Sequence, residues 1–105
     1  MPGFNQKVAD ELDQMMRNIP EAKPGKMFGM PGYKVNGKLA VGVFEDTVVV
    51  KVGTERAKVL LGQPGIGTFE PMPGRAWKDW VAIGSDFKKH HALLEEAVRY
   101  VAENS

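Results

Sequence analysis

The sequence predicts an α+β fold, with one antiparallel sheet covered by helices on one face and elements in the order α-β-β-β-α-β-β-α. Two observations carry this. Residues 27 to 52, MFGMPGYKVNGKLAVGVFEDTVVVKV, spell a three-stranded meander with both turns visible. Segments of helical periodicity bracket the runs of strands, which is the two-layer arrangement of helices packed on one side of an antiparallel sheet.

The first helix is read from Phe4, Val8, Leu12, Met15, Met16 and Ile19, which recur at helical spacing with Asp10, Glu11, Asp13 and Arg17 between them. Asn5 is the expected N-cap and Pro20 the stop. The segment EAKPGK that follows reads as a loop, from its Pro and Gly.

The first hairpin turns at Asn36-Gly37, because a type I′ turn needs positive φ at both central positions. Glu45-Asp46 is the second turn. With two-residue turns, Leu39 pairs with Val52, Val41 with Val50 and Val43 with Val48. All six then share one apolar face, and a one-residue slip would scatter them. Lys34 falls on that face beside Leu39, at the sheet margin, where its stem can lie on the core while its ammonium reaches water.

Thr54-Glu55 opens a short helix through Leu61, with Ala57, Leu60 and Leu61 on its buried side, Gly62 as a cap and Pro64 as a barrier to continuation. Thr68-Phe69 reads as a short strand, broken by Pro71, Pro73 and Gly74. Ala76 to Ile83 alternates as a strand, with Trp77, Val81 and Ile83 on one side and Trp80 and Ala82 on the other. Ser85 caps the last helix, whose stripe runs through Phe87, His91, Leu94, Val98 and Val101.

At 105 residues this is one domain, 1–105, large enough for a core without staples. A net charge of +1 creates no strong field for nucleic acid or an anionic membrane. The absence of cysteine excludes disulfides, thiolate nucleophiles and cysteine zinc sites, and suits the cytosol. The first residues turn acidic where a signal peptide would be apolar, and no apolar run reaches membrane-spanning length. A cytoplasmic protein without a membrane partner is the expectation.

The same register defines a second sheet face: Tyr33, Ala40, Gly42, Phe44, Thr47, Val49 and Lys51, joined by Lys78 and Trp80. A solvated face should be mainly polar, and this one is aromatic and small. It is expected to be covered, by a second copy of the chain or by the Pro-rich 62–75 segment. A stacking platform for single-stranded nucleic acid is the alternative, since aromatics interleaved with cations on a sheet bind bases. The candidate binding face is thus Tyr33, Phe44, Lys51, Lys78 and Trp80, with Arg75 nearby.

Catalytic chemistry is sparse. His90 and His91 are adjacent and diverge by about 100° on a helix, so they do not share one metal. Gly65-Ile66-Gly67 lacks the Lys-Ser or Lys-Thr of a phosphate loop and reads as a turn. Asp79 shares a strand side with Trp77 and Val81, which calls for a cationic partner, Arg75 or a lysine. No catalytic residue, metal ligand or cofactor site is assigned. An enzyme would need a pocket around Lys51, Arg75 and Asp79.

Met27-Phe28-Gly29, Gly32-Tyr33, Asn36-Gly37-Lys38, Asp46 and Lys51 together resemble the TfoX N-terminal domain family, bacterial proteins linked to competence regulation. The run FEPMPGRAWKDWVAI from Phe69 resembles its short stand-alone branch, and the likeness spans roughly residues 8 to 100. YjbR-type domains share the Lys-bearing strand after a Gly-Lys hairpin. The resemblance implies a secretion-chaperone-like two-layer fold. It also implies a non-enzymatic regulatory module acting through protein contact and self-association, with competence-type transcriptional control as an alternative. The family's longer regulators carry a second, C-terminal domain that this chain lacks room for. Lys51, Arg75, Lys78 and Trp80 match family-like positions.

Overall fold

The computed structural model describes residues 4–84 and 87–104. Its elements are helix α1 (Gln6–Met16), strands β1 (Lys23–Met27), β2 (Met30–Val35), β3 (Lys38–Phe44) and β4 (Thr47–Lys51), helix α2 (Thr54–Leu60), strands β5 (Ile66–Thr68) and β6 (Trp80–Ile83), a 3-10 turn (Phe87–His90) and helix α3 (His91–Glu103). The six strands form one antiparallel sheet in the order β1-β2-β3-β4-β6-β5. The α+β class stands as predicted, with one strand more than expected.

That strand is β1. Its sequence, Lys-Pro-Gly-Lys-Met, reads as a loop because Pro cannot donate to a ladder and Gly weakens a strand. Both are tolerated here because β1 is an edge of the sheet, paired only to β2. The β1–β2 turn is Phe28-Gly29, with φ of 54° and 79°, which repeats the 53° and 82° of Asn36-Gly37 at the β2–β3 turn. Asparagine suits that first position and phenylalanine does not, so Phe28 holds a left-handed backbone against its Cβ sterics, at a cost of about 1–2 kcal/mol.

The predicted pairs Val41–Val50 and Val43–Val48 are present. Leu39 is a correction. Between the pairs Tyr33–Val41 and Lys34–Leu39 the register shifts, and Ala40 is left without a partner. This is a β-bulge, and it reverses the alternation on one side of itself. Ala40 and Val41 both enter the helix-side core, while Leu39 packs on the opposite face. Lys34, still opposite Leu39, goes with it, and Val52 pairs with no residue of β3. Tyr33 swings the other way, onto the helix side, where it is 5% exposed and donates a hydrogen bond to Asp13 Oδ1 of α1 at 2.8 Å.

The helix-side core is built from Leu12 and Met16 of α1, Ala57 and Leu60 of α2, Phe87, and Leu93, Leu94, Ala97, Val98 and Val101 of α3, packed on Val41, Val43, Val48, Val50, Val81 and Ile83. The stripes of α1 and α3 stand as predicted for Leu12, Met16, Leu94, Val98 and Val101, whereas Phe4 lies before α1 and is exposed. Leu61 was placed in this core and is exposed. His91 lies at the helix surface, half-exposed, with Nε2 3.2 Å from Glu95 Oε1. The Ser85 cap falls outside the described residues. Asn5 is the N-cap of α1, accepting from the Lys7 and Val8 amides at 2.9 and 3.4 Å. It is also tied to the β3–β4 turn: its amide N–H donates to Glu45 O at 2.9 Å and its side chain to Asp46 Oδ1 at 3.1 Å.

On the other face, Gly32 and Gly42 stand opposite each other. A Cβ on Gly42 would lie 2.7 Å from Met27 Cε, and one on Gly32 would lie 3.2 Å from Met27 Cβ. The two glycines thus leave a trough in which the buried Met27 side chain lies across the sheet.

Candidate functional site

The face away from the helices is covered by the chain itself. After β5 the backbone crosses this face from Phe69 to Asp79, in a segment braced by its own hydrogen bonds. Trp77 N–H donates to Phe69 O at 2.9 Å, and Arg75 N–H to Met72 O at 2.9 Å. The second bond closes a turn with Pro73 and Gly74 at its centre. Gly74 has φ 76°, so this is the type II geometry that Pro-Gly favours. A further turn, Trp80 N–H to Trp77 O at 3.1 Å, leads into β6. The predicted strand from Ala76 therefore begins only at Trp80. Residues 77–79 turn, and this brings Trp77 to the same side as Trp80, against the alternation read from sequence.

Phe69 is the centre of the cover. It is 2% exposed and its ring lies 5.2 Å from Phe44, 5.3 Å from Trp77 and 5.7 Å from Trp80, at tilted or edge-on angles. Trp77 touches Trp80 at 5.7 Å. Phe28 extends the cluster outward, 5.5 Å from Trp77 and 6.5 Å from Phe44. Edge-to-face pairs of this kind contribute about 0.5–1.5 kcal/mol each beyond the area they bury. Below them lie Met27 and Val49, with Leu39 and Ala82 at the margin. The rings grade from buried Phe69 and Trp80, through half-buried Phe44 and Trp77, to Phe28 at 52% exposed.

The predicted binding residues separate accordingly. Phe44, Lys51 and Trp80 are on this face, Trp80 only 5% exposed beneath the crossing segment. Tyr33 is not on it, for the reason the Ala40 bulge supplies. Tyr33, Phe44 and Trp80 therefore form no open stack for bases. Lys51 Nζ lies 3.7 Å from Asp79 Oδ2, the lysine partner expected for that carboxylate. The Asp79 backbone carbonyl also accepts from Val52 and Gly53 N–H at 2.9 and 3.0 Å, so this residue joins the end of β4 to the entry of β6. Lys78 and Arg75 are exposed. Phe28 is the functional candidate that sequence reasoning missed. Its signal was present: Met-Phe-Gly-Met has the same two-residue spacing as Val-Asn-Gly-Lys, with an aromatic where a turn residue belongs.

Burial and the Asp13 hydrogen bond hold the Tyr33 phenol well above its ordinary range. Among the described residues no three His, Asp or Glu side chains are placed to hold a metal ion. A groove of about 300 Å³ on the helix side runs between Ile19 and Val98, with Glu21, Glu95 and Arg99 at its edge. A depression of about 190 Å³ on the aromatic face is lined by Phe44, Glu45, Thr47, Thr68, Phe69, Glu70 and Ala82. Neither contains Lys51, Arg75 or Asp79, the residues around which an enzyme pocket was sought. Among the described residues no helix is long and apolar enough to cross a membrane. Compared with protein-family models, curated proteins and solved structures, the chain matches none.

Proposed function

We propose that this chain is a non-enzymatic binding module that works through protein–protein contact, and that its first partner is a second copy of itself, docked through the aromatic face. The observation that carries this is Phe28. An aromatic ring held at left-handed φ and 52% exposed costs the fold energy that an Asn-Gly turn would not. Such strain is retained where a surface uses the side chain it presents.

Charge placement supports a second copy as the partner. The exposed carboxylates Glu45 and Glu70 flank one end of the face, at the β3–β4 turn. The exposed cation Lys78 belongs to the other end, where it precedes Trp80, while Lys51 at the end of β4 is paired with Asp79. Six residues of strand separate those ends by roughly 20 Å. A two-fold axis through the face would set each acidic end against the other copy's basic end, as an isologous interface requires. The resemblance to the TfoX N-terminal domain family belongs to this proposal. Its motif residues lie in the β1–β2 turn, in β2, in the β2–β3 turn, in the β3–β4 turn and at the end of β4.

Light scattering and sedimentation over a wide concentration range test it, with Phe28→Asn as the variant. Asparagine fits the left-handed position, so the hairpin survives while the exposed ring is gone. Wild type is expected to dimerise with rising concentration and Phe28→Asn to stay monomeric with unchanged circular dichroism. A wild-type monomer at every concentration ends the self-association reading.

A further inference from the structure

Charge is unevenly divided across the sheet. Residues 22–44, which hold β1, β2 and β3, contain four lysines, Lys23, Lys26, Lys34 and Lys38, and no Asp or Glu. None of the four forms an ion pair with another described residue. The net charge of +1 conceals this, because no strand carries a carboxylate and the acids sit on helices and connections. Three of the lysines gather at the open edge of β1. Lys23 and Lys26 belong to that edge strand, and Lys34 of β2 stands directly opposite Lys23. The half-buried Lys34 stem leans over β1 at Gly25, with Cδ and Cε 3.4 and 3.3 Å from where a Gly25 Cβ would stand. Gly25 thus leaves the room that carries an inner-strand ammonium toward the edge. Lysine and proline on an edge deter strand pairing, which accounts for Lys23, Pro24 and Lys26. It does not account for Lys34, since like charges set directly opposite each other weaken a ladder.

We propose that this lysine edge binds the phosphate backbone of double-stranded nucleic acid. Ammonium groups that neutralise phosphates release condensed counterions, which drives binding whatever the base sequence. Lys23 and Lys26 are three residues apart, about 10 Å along the strand, with the Lys34 stem between them, so the three heads reach neighbouring phosphates of one backbone. A duplex is the fitting polyanion because this edge offers cations to phosphates and nothing to bases. Tyr33, the ring opposite Pro24, is buried on the helix side and bonded to Asp13, so it cannot stack on an unpaired base. Phe28 turns onto Trp77 and Phe44, and no large apolar side chain is exposed among these lysines to enter a membrane. The edge does not rest on self-association, and a chain that never dimerises can still bind the duplex.

The test is fluorescence anisotropy of a short labelled duplex titrated with the full chain between about 50 and 200 mM salt. Contact with three to four phosphates predicts a slope of about −3 for log K against log salt. The double variant Lys23→Gln, Lys34→Gln should reduce that slope by about 2 and weaken binding at the lowest salt about tenfold or more. Lys26→Gln, which changes one exposed side chain, should reduce it by about 1. The control Lys58→Gln, Lys88→Gln removes two cations from α2 and the 3-10 turn and should leave the slope unchanged. Circular dichroism checks that each variant is folded. No saturable binding at the lowest salt, an unchanged slope in the folded edge variants, or an equal loss in the control overturns the proposal. Tighter binding to a single strand, to anionic vesicles or to polyglutamate also overturns it, by naming another occupant.

Discussion

Gly53 offers the sharpest test of how the sheet and helices are joined. It is the N-cap of α2, with φ 95° and ψ 154°, a region that only glycine occupies comfortably. Its N–H donates to Asp79 O at 3.0 Å and its carbonyl accepts from Ala57 N–H at 2.9 Å, so the backbone is held from both sides. A Cβ added here would lie 2.8 Å from Tyr100 Cε1, where ordinary contact begins at 3.4 Å. Gly53→Ala therefore meets two costs. The backbone strain is about 1–3 kcal/mol, and swinging the half-exposed Tyr100 ring aside adds up to about 1 kcal/mol. The reduced freedom of the unfolded chain offsets roughly 0.4–1 kcal/mol. The net is about 1–3 kcal/mol, a fall in Tm of roughly 5–15 °C for a domain of this size. Urea denaturation of Gly53→Ala, Tyr100→Ala and the double variant separates the two parts, because the strain persists when the ring is gone. An unchanged stability in the single variant would refute the reasoning, since the strain and the ring's displacement together exceed the unfolded-chain offset.

Three further outcomes follow from the geometry. Phe69→Ala removes the ring at the centre of the cover and should cost about 3–5 kcal/mol, with tryptophan emission moving to longer wavelength as Trp80 meets water; an unshifted spectrum would mean the crossing segment does not depend on that ring. Asn5→Ala deletes the α1 cap and the tie to Asp46, for a loss of about 1–2 kcal/mol by urea denaturation; a neutral result would deny the cap its role. The Tyr33 phenol is raised in the folded chain, so its contribution to stability is complete below the ordinary tyrosine value of about 10 and is lost as pH climbs toward its folded value, at up to about 1.4 kcal/mol per pH unit. Phenolate absorbance should show a late-titrating group that Tyr33→Phe abolishes.

Much of this fold was legible because its signals are local. Asn36-Gly37 announces its turn by backbone chemistry, and the alternating valines of β3 and β4 align in one register only. The edge strand β1 was not legible, since Pro24 and Gly25 suit an edge strand and a loop equally well. The Ala40 bulge leaves no mark in composition. It is fixed by the whole sheet's need to bury Tyr33 against α1 and Leu39 beside Met27, and it moved one candidate residue off the site. The cover over the second face was half legible: the 62–75 segment was an expected occupant, and Phe69 fills that role. Trp77 escaped because a single turn at 77–79 cancels the alternation on which its side was judged.

The two hydrogen bonds from Asn5 to the β3–β4 turn have a consequence for how the helix end opens. The contact joins residues 41 apart in the chain. The oxygen that caps α1 and the nitrogen that reaches Asp46 belong to one amide group, so the start of the helix and the end of the hairpin are held in one geometry. Amide protons in the first turn of α1 should exchange at the rate at which that distant hairpin end opens, as one cooperative unit.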